Sequence, residues 1–346
     1  MRNLSRVLAA TAALLFHFPA AAVAQAFPVV GTRAAGMGGA FVGVADDATA
    51  IYWNPGGVAA GSYFSLVLDG GTGKVAPDAS TRGSDGSSYF LGLSMPALGL
   101  GYYRLQAATV SPGSLLLSAE SAGSTRNLSA VDELRLDTLI THHAGITLVQ
   151  SLFSGVSLGT TLKVVRGIAA SRGVLAADAR EALRTDTSEL LGRARNTFDL
   201  DIGLMAAGGP LKVGLTVRNV REPRFEAAGT DGELPLERQA RAGLSYAVTP
   251  NWMAAADFDL LRTRDVFGER RDIAAGVEGR LGTRASVRTG VSINTADDAQ
   301  IPGSARQAYS LGASYAVKAS VYVDGHVTGG NDRAGHQWGL AARFVY

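Results

Sequence analysis

The chain has 346 residues, 32 basic against 30 acidic side chains, and a net charge of +2. That balance gives no electrostatic case for a nucleic-acid partner. The absence of cysteine excludes a disulfide framework, a thiolate metal site and a lipidated N-terminal cysteine. Charged residues make up only 18% and glycine is abundant at 43, a composition that suits one large β-barrel.

In chain order, residues 1–24 read as a secretory signal. Arg2 and Arg6 form a positive start, Val7 to Phe18 is apolar, and Ala22-Val23-Ala24 is a small-x-small cleavage site. The apolar run is too short to span a bilayer as a helix, so any insertion must be through strands.

Residues 25–60 do not read as a spanning strand. Gly36 to Ala50 is dominated by small residues, which permit close backbone packing. Asn54-Pro55-Gly56 is a strong turn signal: Asn tolerates turn geometry, Pro fixes φ, and Gly permits positive φ. A compact segment of this kind ahead of a barrel reads as a plug, or hatch. Its candidate residues are Gly36, Met37, Gly38, Gly39, Phe41, Asp46, Asp47, Trp53, Asn54, Pro55 and Gly56. The glycines are not a phosphate loop, because no Lys-Ser/Thr follows and no βαβ unit surrounds them.

From Ser62 to Tyr346 about fourteen stretches of roughly nine to twelve residues alternate apolar and polar side chains. Strands of that length, tilted by about 45°, cross a hydrocarbon core. The gaps alternate strictly. Short ones lie near 95–97, 150–154, 208–210, 249–250, 282–283 and 316–317. Long ones lie at 71–86, 107–133, 168–195, 221–238, 263–270, 295–306 and 329–333. Short turns on one side and long loops on the other predict an all-β, transmembrane antiparallel barrel over residues 61–346.

Alternation also assigns faces. A charge facing lipid near the midplane costs about 2–4 kcal/mol, so charges belong to the lumen. On that basis Asp199, Asp201, Lys212, Asp257, Glu278, Arg280, Arg284 and Arg288 point inward. Tyr246, Trp252, Tyr315, Phe344 and Tyr346 cluster by the short turns as an interfacial girdle. The last strand, ending in Phe344 and Tyr346, has the pattern by which the outer-membrane assembly machinery recognises barrels.

Two long loops carry apolar groups that would form a ligand-capture groove. One contains Leu115, Leu116 and Leu117. The other contains a helical stripe of Leu175, Leu183 and Leu190. His142 and His143 are adjacent on a strand, so they face opposite ways and cannot share a metal. No spacing marks a Ser/His pair, and neither enzymatic activity nor a cofactor is expected.

The run RAAGMGGAFVGVADDATAIYWNPGGVA resembles the N-terminal signature of FadL-type outer-membrane transporters of long-chain fatty acids and other hydrophobic compounds. TraF-like and PorV-like barrel proteins share that broad superfamily. Asn54-Pro55 matches the family's Asn-Pro-Ala element at two positions, and Gly56 in the third implies a looser turn. The resemblance implies a fourteen-stranded barrel in the outer membrane of a Gram-negative bacterium, with both termini periplasmic. It implies passive uptake of a hydrophobic ligand by capture at a loop groove and lateral release. The stretches FDLDIGLMAAGGPLKVGLTVRNVREPRFE and LPLERQARAGLSYAV are more similar to the PorV-like and TraF-like branches. Those imply a non-transporting barrel that docks a protein partner in secretion or conjugation.

Overall fold

In the computed structural model, the structure describes residues 30–75, 83–112, 133–183, 193–229, 232–265, 268–296, 306–330 and 336–346. Fourteen antiparallel strands form the wall: β1 Ser65–Val75, β2 Gly83–Met95, β3 Leu98–Pro112, β4 Glu133–Phe153, β5 Val156–Leu175, β6 Arg195–Gly208, β7 Leu211–Arg218, β8 Gln239–Thr249, β9 Trp252–Asp259, β10 Asp272–Leu281, β11 Ala285–Asn294, β12 Arg306–Lys318, β13 Val321–Gly330 and β14 His336–Val345. Each pairs with its chain neighbour, and β1 pairs with β14 from Ser65↔Val345 to Lys74↔His336. Closure leaves the wall without an edge, which a membrane requires of any sheet that crosses it.

The six short turns lie at 96–97, 154–155, 209–210, 250–251, 282–284 and 319–320; five overlap the predicted places, and the sixth falls three residues after 316–317 because β12 runs on to Lys318. Three of them use a glycine at positive φ: Gly155 at 76°, Gly209 at 58° and Gly282 at 66°. Tight hairpins need that backbone, and only glycine adopts it without a steric penalty.

The outer face is a continuous apolar belt that includes Leu68, Leu91, Leu148, Val164, Ile202, Val213, Phe258, Val277, Leu311, Val327 and Leu340, all exposed. An exposed apolar surface closing on itself around a barrel is a lipid contact. Arg104, His142 and Arg166 are cross-strand neighbours on β3, β4 and β5 and mark its upper limit there. Tyr246, Trp252, Tyr315 and Phe344 are exposed at its lower limit, by the short turns. Inward positions carry the polar groups. Asp199, Asp201, Asp257 and Arg288 are all buried inside the wall, as alternation predicts.

β4 and β5 are the tallest strands, pairing continuously out to Glu133↔Leu175. Sequence reading starts a loop at Ile168. Instead β4 templates β5 for eight more residues, 168–175, and the free side of β5 pairs with a short strand, Arg224–Ala228, through Ala169↔Ala227 and Ala170↔Ala228. The small residues there give no clear period, so the extension is not visible in the sequence.

Leu340 is 58% exposed in the middle of β14, opposite Gly70 and Gly325. Leu340→Arg is expected to lower stability by about 2–4 kcal/mol in urea unfolding from lipid vesicles. Leu340→Ala is expected to cost less than half as much in the same assay.

Candidate functional site

Residues 30–60 are packed inside the barrel. A single helical turn, α1 Thr32–Gly36, leads to a small-residue loop, then to α2 Ala50–Trp53 and a 3-10 turn, Pro55–Ala60. Every residue of Met37, Ala40, Phe41, Val42, Val44, Ala45 and Ala48 is completely buried. Neither helical piece is long enough to be stable alone. The wall therefore holds the segment in place, and it does so by three kinds of contact.

The first is backbone against backbone. A Cβ at wall Gly290 would lie 2.1 Å from the Met37 carbonyl carbon. One at Gly214 would lie 2.3 Å from the Val42 oxygen, and one at Gly159 would lie 2.1 Å from the Pro55 carbonyl carbon. Gly36 and wall Gly312 face each other, each Cβ position about 3 Å from the other Cα. From the segment side, a Cβ at Gly43 would meet the Leu244 backbone at 2.6 Å, and one at Gly56 the Gly203 oxygen at 2.7 Å. Gly56 therefore does not loosen the Asn-Pro turn. It is the residue that lets the turn reach the wall.

The second is a set of wall side chains that accept or supply the segment's orphan backbone groups. Asp257 accepts from the Phe41 and Val42 N–H groups, both at 2.9 Å. Asp69 accepts from the Thr32 N–H at 2.6 Å and the Gly31 N–H at 3.3 Å. Ser245 donates to the Gly43 carbonyl and Ser157 to the Gly56 carbonyl. Asn54 donates to Val42 and to wall residue Leu204, and accepts from the Gly56 N–H, so one amide ties the segment to the wall. Ser157 lies in the string Gly155-Val156-Ser157-Leu158-Gly159. That spells a nucleophile elbow, but the serine is the second residue of β5, with no helix following it, and its hydroxyl is engaged by Gly56, so it is a structural donor.

The third is an ion network. Arg33 grips Glu278 with two hydrogen bonds of 2.8 Å, pairs with Asp46, and reaches Asp47 at 3.2 Å. Glu278 also accepts from Arg288 at 2.5 Å. Arg288 extends past Gly312 to Asp324 at 3.4 Å, which in turn accepts from Arg343 at 3.1 Å and from Ser314. Lys212 approaches Asp46 at 3.7 Å. Four cations thus meet four carboxylates, which is the condition for burying charge without large loss. Burial alone would lift the Asp46 carboxyl; Arg33 and Lys212 outweigh it and hold it below the ordinary carboxylate range.

The segment separates two cavities. On the short-turn side is a space of about 360 Å³ bordered by Arg33, Asp46, Lys212, Glu278, Arg280 and Arg343. On the long-loop side is one of about 140 Å³, floored by Tyr52 and Trp53 and bordered by Arg218, Arg241, Asp259 and Asp272. Arg218 lies over the Tyr52 ring at 3.5 Å and Arg241 over Trp53 at 5.8 Å.

The predicted hatch residues all lie in this buried segment. Of the predicted lumen charges, Asp257, Glu278 and Arg288 touch it or its partners, and Lys212 and Arg280 border the short-turn cavity. Asp199 and Asp201 instead hold Lys163, at 3.2 and 2.6 Å. Arg284 is exposed in the turn 282–284, beyond the end of its strand and out of the lumen. Leu115, Leu116, Leu117 and Leu190 lie outside the described residues. Among the described residues the helical stripe is one turn, α3 Ala179–Ala182, and β5 takes up Leu175, which is exposed on the strand. Leu183 is buried with Ala179 against Ala108, Val110, Leu134 and Leu136 at the tall end of the wall. Asp69, Ser157, Lys163 and Ser245 were not singled out from the sequence, since a polar residue at an inward position has no mark of its partner.

The architecture matches solved structures over nearly its whole length. The CymD monoaromatic hydrocarbon channel superposes with a TM-score of 0.61 at 14% identity, covering 93% of this chain and 99% of that one. The fold is that of the FadL-type channels. A Pseudomonas aeruginosa FadL homologue gives 0.58 at 11% identity over 94% and 100% of the two chains. The Pseudomonas putida toluene transporter TodX gives 0.55 at 13% identity over 93% and 98%. A family model described as "F plasmid transfer operon, TraF, protein" matches residues 129–259, a stretch that covers β4 to β9. No curated protein matches the sequence.

Gly290→Leu is expected to push the segment off the wall, opening a conductance in planar bilayers that the parent protein lacks. Gly208→Ala, with nothing within 4 Å of its Cβ position, is expected to leave conductance unchanged. Arg33→Met takes a partner from three carboxylates, leaving Arg288 to Glu278 and only the distant Lys212 to Asp46, and is expected to cost about 3–5 kcal/mol in unfolding free energy, measured by urea titration.

Proposed function

We propose that the protein is an outer-membrane channel for passive uptake of small hydrophobic compounds, with residues 30–60 as its hatch. The observation that supports this reading is that residues 30–60 pack against the inside of the wall, where an open pore would hold water. Fourteen strands could otherwise leave a water channel. Solutes would be held and passed on one at a time. Long loops face outward and both termini face the periplasm; membrane lipid contacts the belt, and the barrel-assembly machinery reads the last strand.

Capture would begin at the tall β3–β5 end, where Leu134, Leu136, Ala179 and Leu183 form one apolar cluster and Leu139, Val165, Phe225 and Leu236 another. The ligand would then settle on Tyr52 and Trp53 and leave sideways through the wall. A space of about 140 Å³ is close to the ~150 Å³ cavity known to bind benzene. Size therefore supports a single-ring compound over a long-chain fatty acid, in line with the monoaromatic hydrocarbons carried by CymD and the toluene carried by TodX.

The second reading, a TraF-type barrel that docks a protein partner, is favoured by the family match over residues 129–259. Vesicle uptake separates the two. Reconstituted protein is expected to speed toluene entry into vesicles above the protein-free rate, and Trp53→Asp is expected to reduce it at least about tenfold. Uptake equal to that of protein-free vesicles, together with a stoichiometric protein partner recovered from membranes, would establish the docking reading instead.

A further inference from the structure

The charges around the long-loop cavity do not cancel. Three arginines border it against two aspartates. Arg241 is bound to Asp259 at 2.5 Å and Arg270 to Asp272 at 2.8 Å. Arg218 is left over. It is 8% exposed and borders the cavity, and its hydrogen-bond partners are uncharged: the Gln239 side chain, at a long 3.4 Å, and Tyr52. Its Nε is buried without a partner, and among the described residues no carboxylate lies within ion-pair distance.

The carboxylates of the neighbouring strand, β6, are committed elsewhere. Asp201 holds the Lys163 ammonium at 2.6 Å and accepts from the Asn219 N–H; Asp199 accepts from the Arg221 N–H and pairs with the same lysine. The Tyr52 ring covers one face of the Arg218 guanidinium and fixes its plane, leaving the N–H edge to be met. A buried guanidinium with an unmet edge is costly, and a planar anion is the group that satisfies two N–H donors at once.

We infer that this cavity takes a single-ring carboxylate, whose anionic group meets Arg218 while its ring rests on Tyr52 and Trp53. This rests on the channel reading and narrows its substrate class from hydrocarbons to aromatic acids. The cavity's small volume limits the ring to one. The paired Arg241–Asp259 and Arg270–Asp272 contribute no net charge, so selection falls to Arg218 alone.

The test uses the full-length protein in detergent and titration calorimetry with benzoate, its neutral isostere benzamide, and toluene. Benzoate is expected to bind at least roughly tenfold tighter than benzamide, the scale of a charge-assisted hydrogen-bond pair. In Arg218→Gln that preference is expected to vanish. Equal binding of benzoate and benzamide to the parent protein would overturn the inference, and needs no variant to fold. So would a preference that survives Arg218→Gln. Toluene binding without any benzoate preference would overturn the anion site and leave the channel reading standing; binding of none of the three would overturn both.

Discussion

Everything inside this barrel depends on how closely two backbones can approach. The inserted segment has no hydrogen-bonded sheet or long helix of its own, so its stability must come from the wall. The two backbones can touch only where the wall's inward side chain is a hydrogen atom. Gly159, Gly203, Gly214, Gly243, Gly276, Gly290 and Gly312 all present this surface, and a Cβ at any of them would meet the segment's atoms at about 3 Å or less. Contacts of that kind are dispersion and excluded volume, each small and collectively large.

Close approach then makes the polar contacts possible. Wall side chains as short as Ser157, Ser245, Asp69 and Asp257 reach segment backbone groups only because the two chains are already near. Each bond satisfies a buried donor or acceptor that would otherwise carry a full desolvation penalty. The Arg33 network adds specificity of position. Its balanced charges leave each buried ion a partner, and Gly312 provides the gap through which Arg288 reaches Asp324. Packing, hydrogen bonding and ion pairing thus agree on one placement, as a single native state requires.

Much of the wall was legible in the sequence, because a bilayer outside and a polar interior enforce strict alternation. The faces of β6, β9, β11 and β14 and the six short turns follow from it. The height of β4 and β5 did not, since Ala169-Ala170-Ser171-Arg172-Gly173 has no period and is shaped by its partner strand. The segment's compactness could be read from its small residues, but its contacts could not. Asp69 and Asp257 look like any inward carboxylate, and a wall glycine gives no sign of what lies against it. Gly56 illustrates the difference: by local turn chemistry it loosens the Asn-Pro turn, whereas by tertiary packing it is the only residue that fits.

The central claim is that residues 30–60 are locked within the lumen as firmly as the strands around them. Amide hydrogen exchange of the full-length protein in lipid nanodiscs tests it most directly. The Thr32, Phe41 and Val42 amides, held by Asp69 and Asp257, are expected to exchange as slowly as amides in the middle of β10 and β11. Exchange of those three amides within seconds, with the wall still protected, would contradict the account.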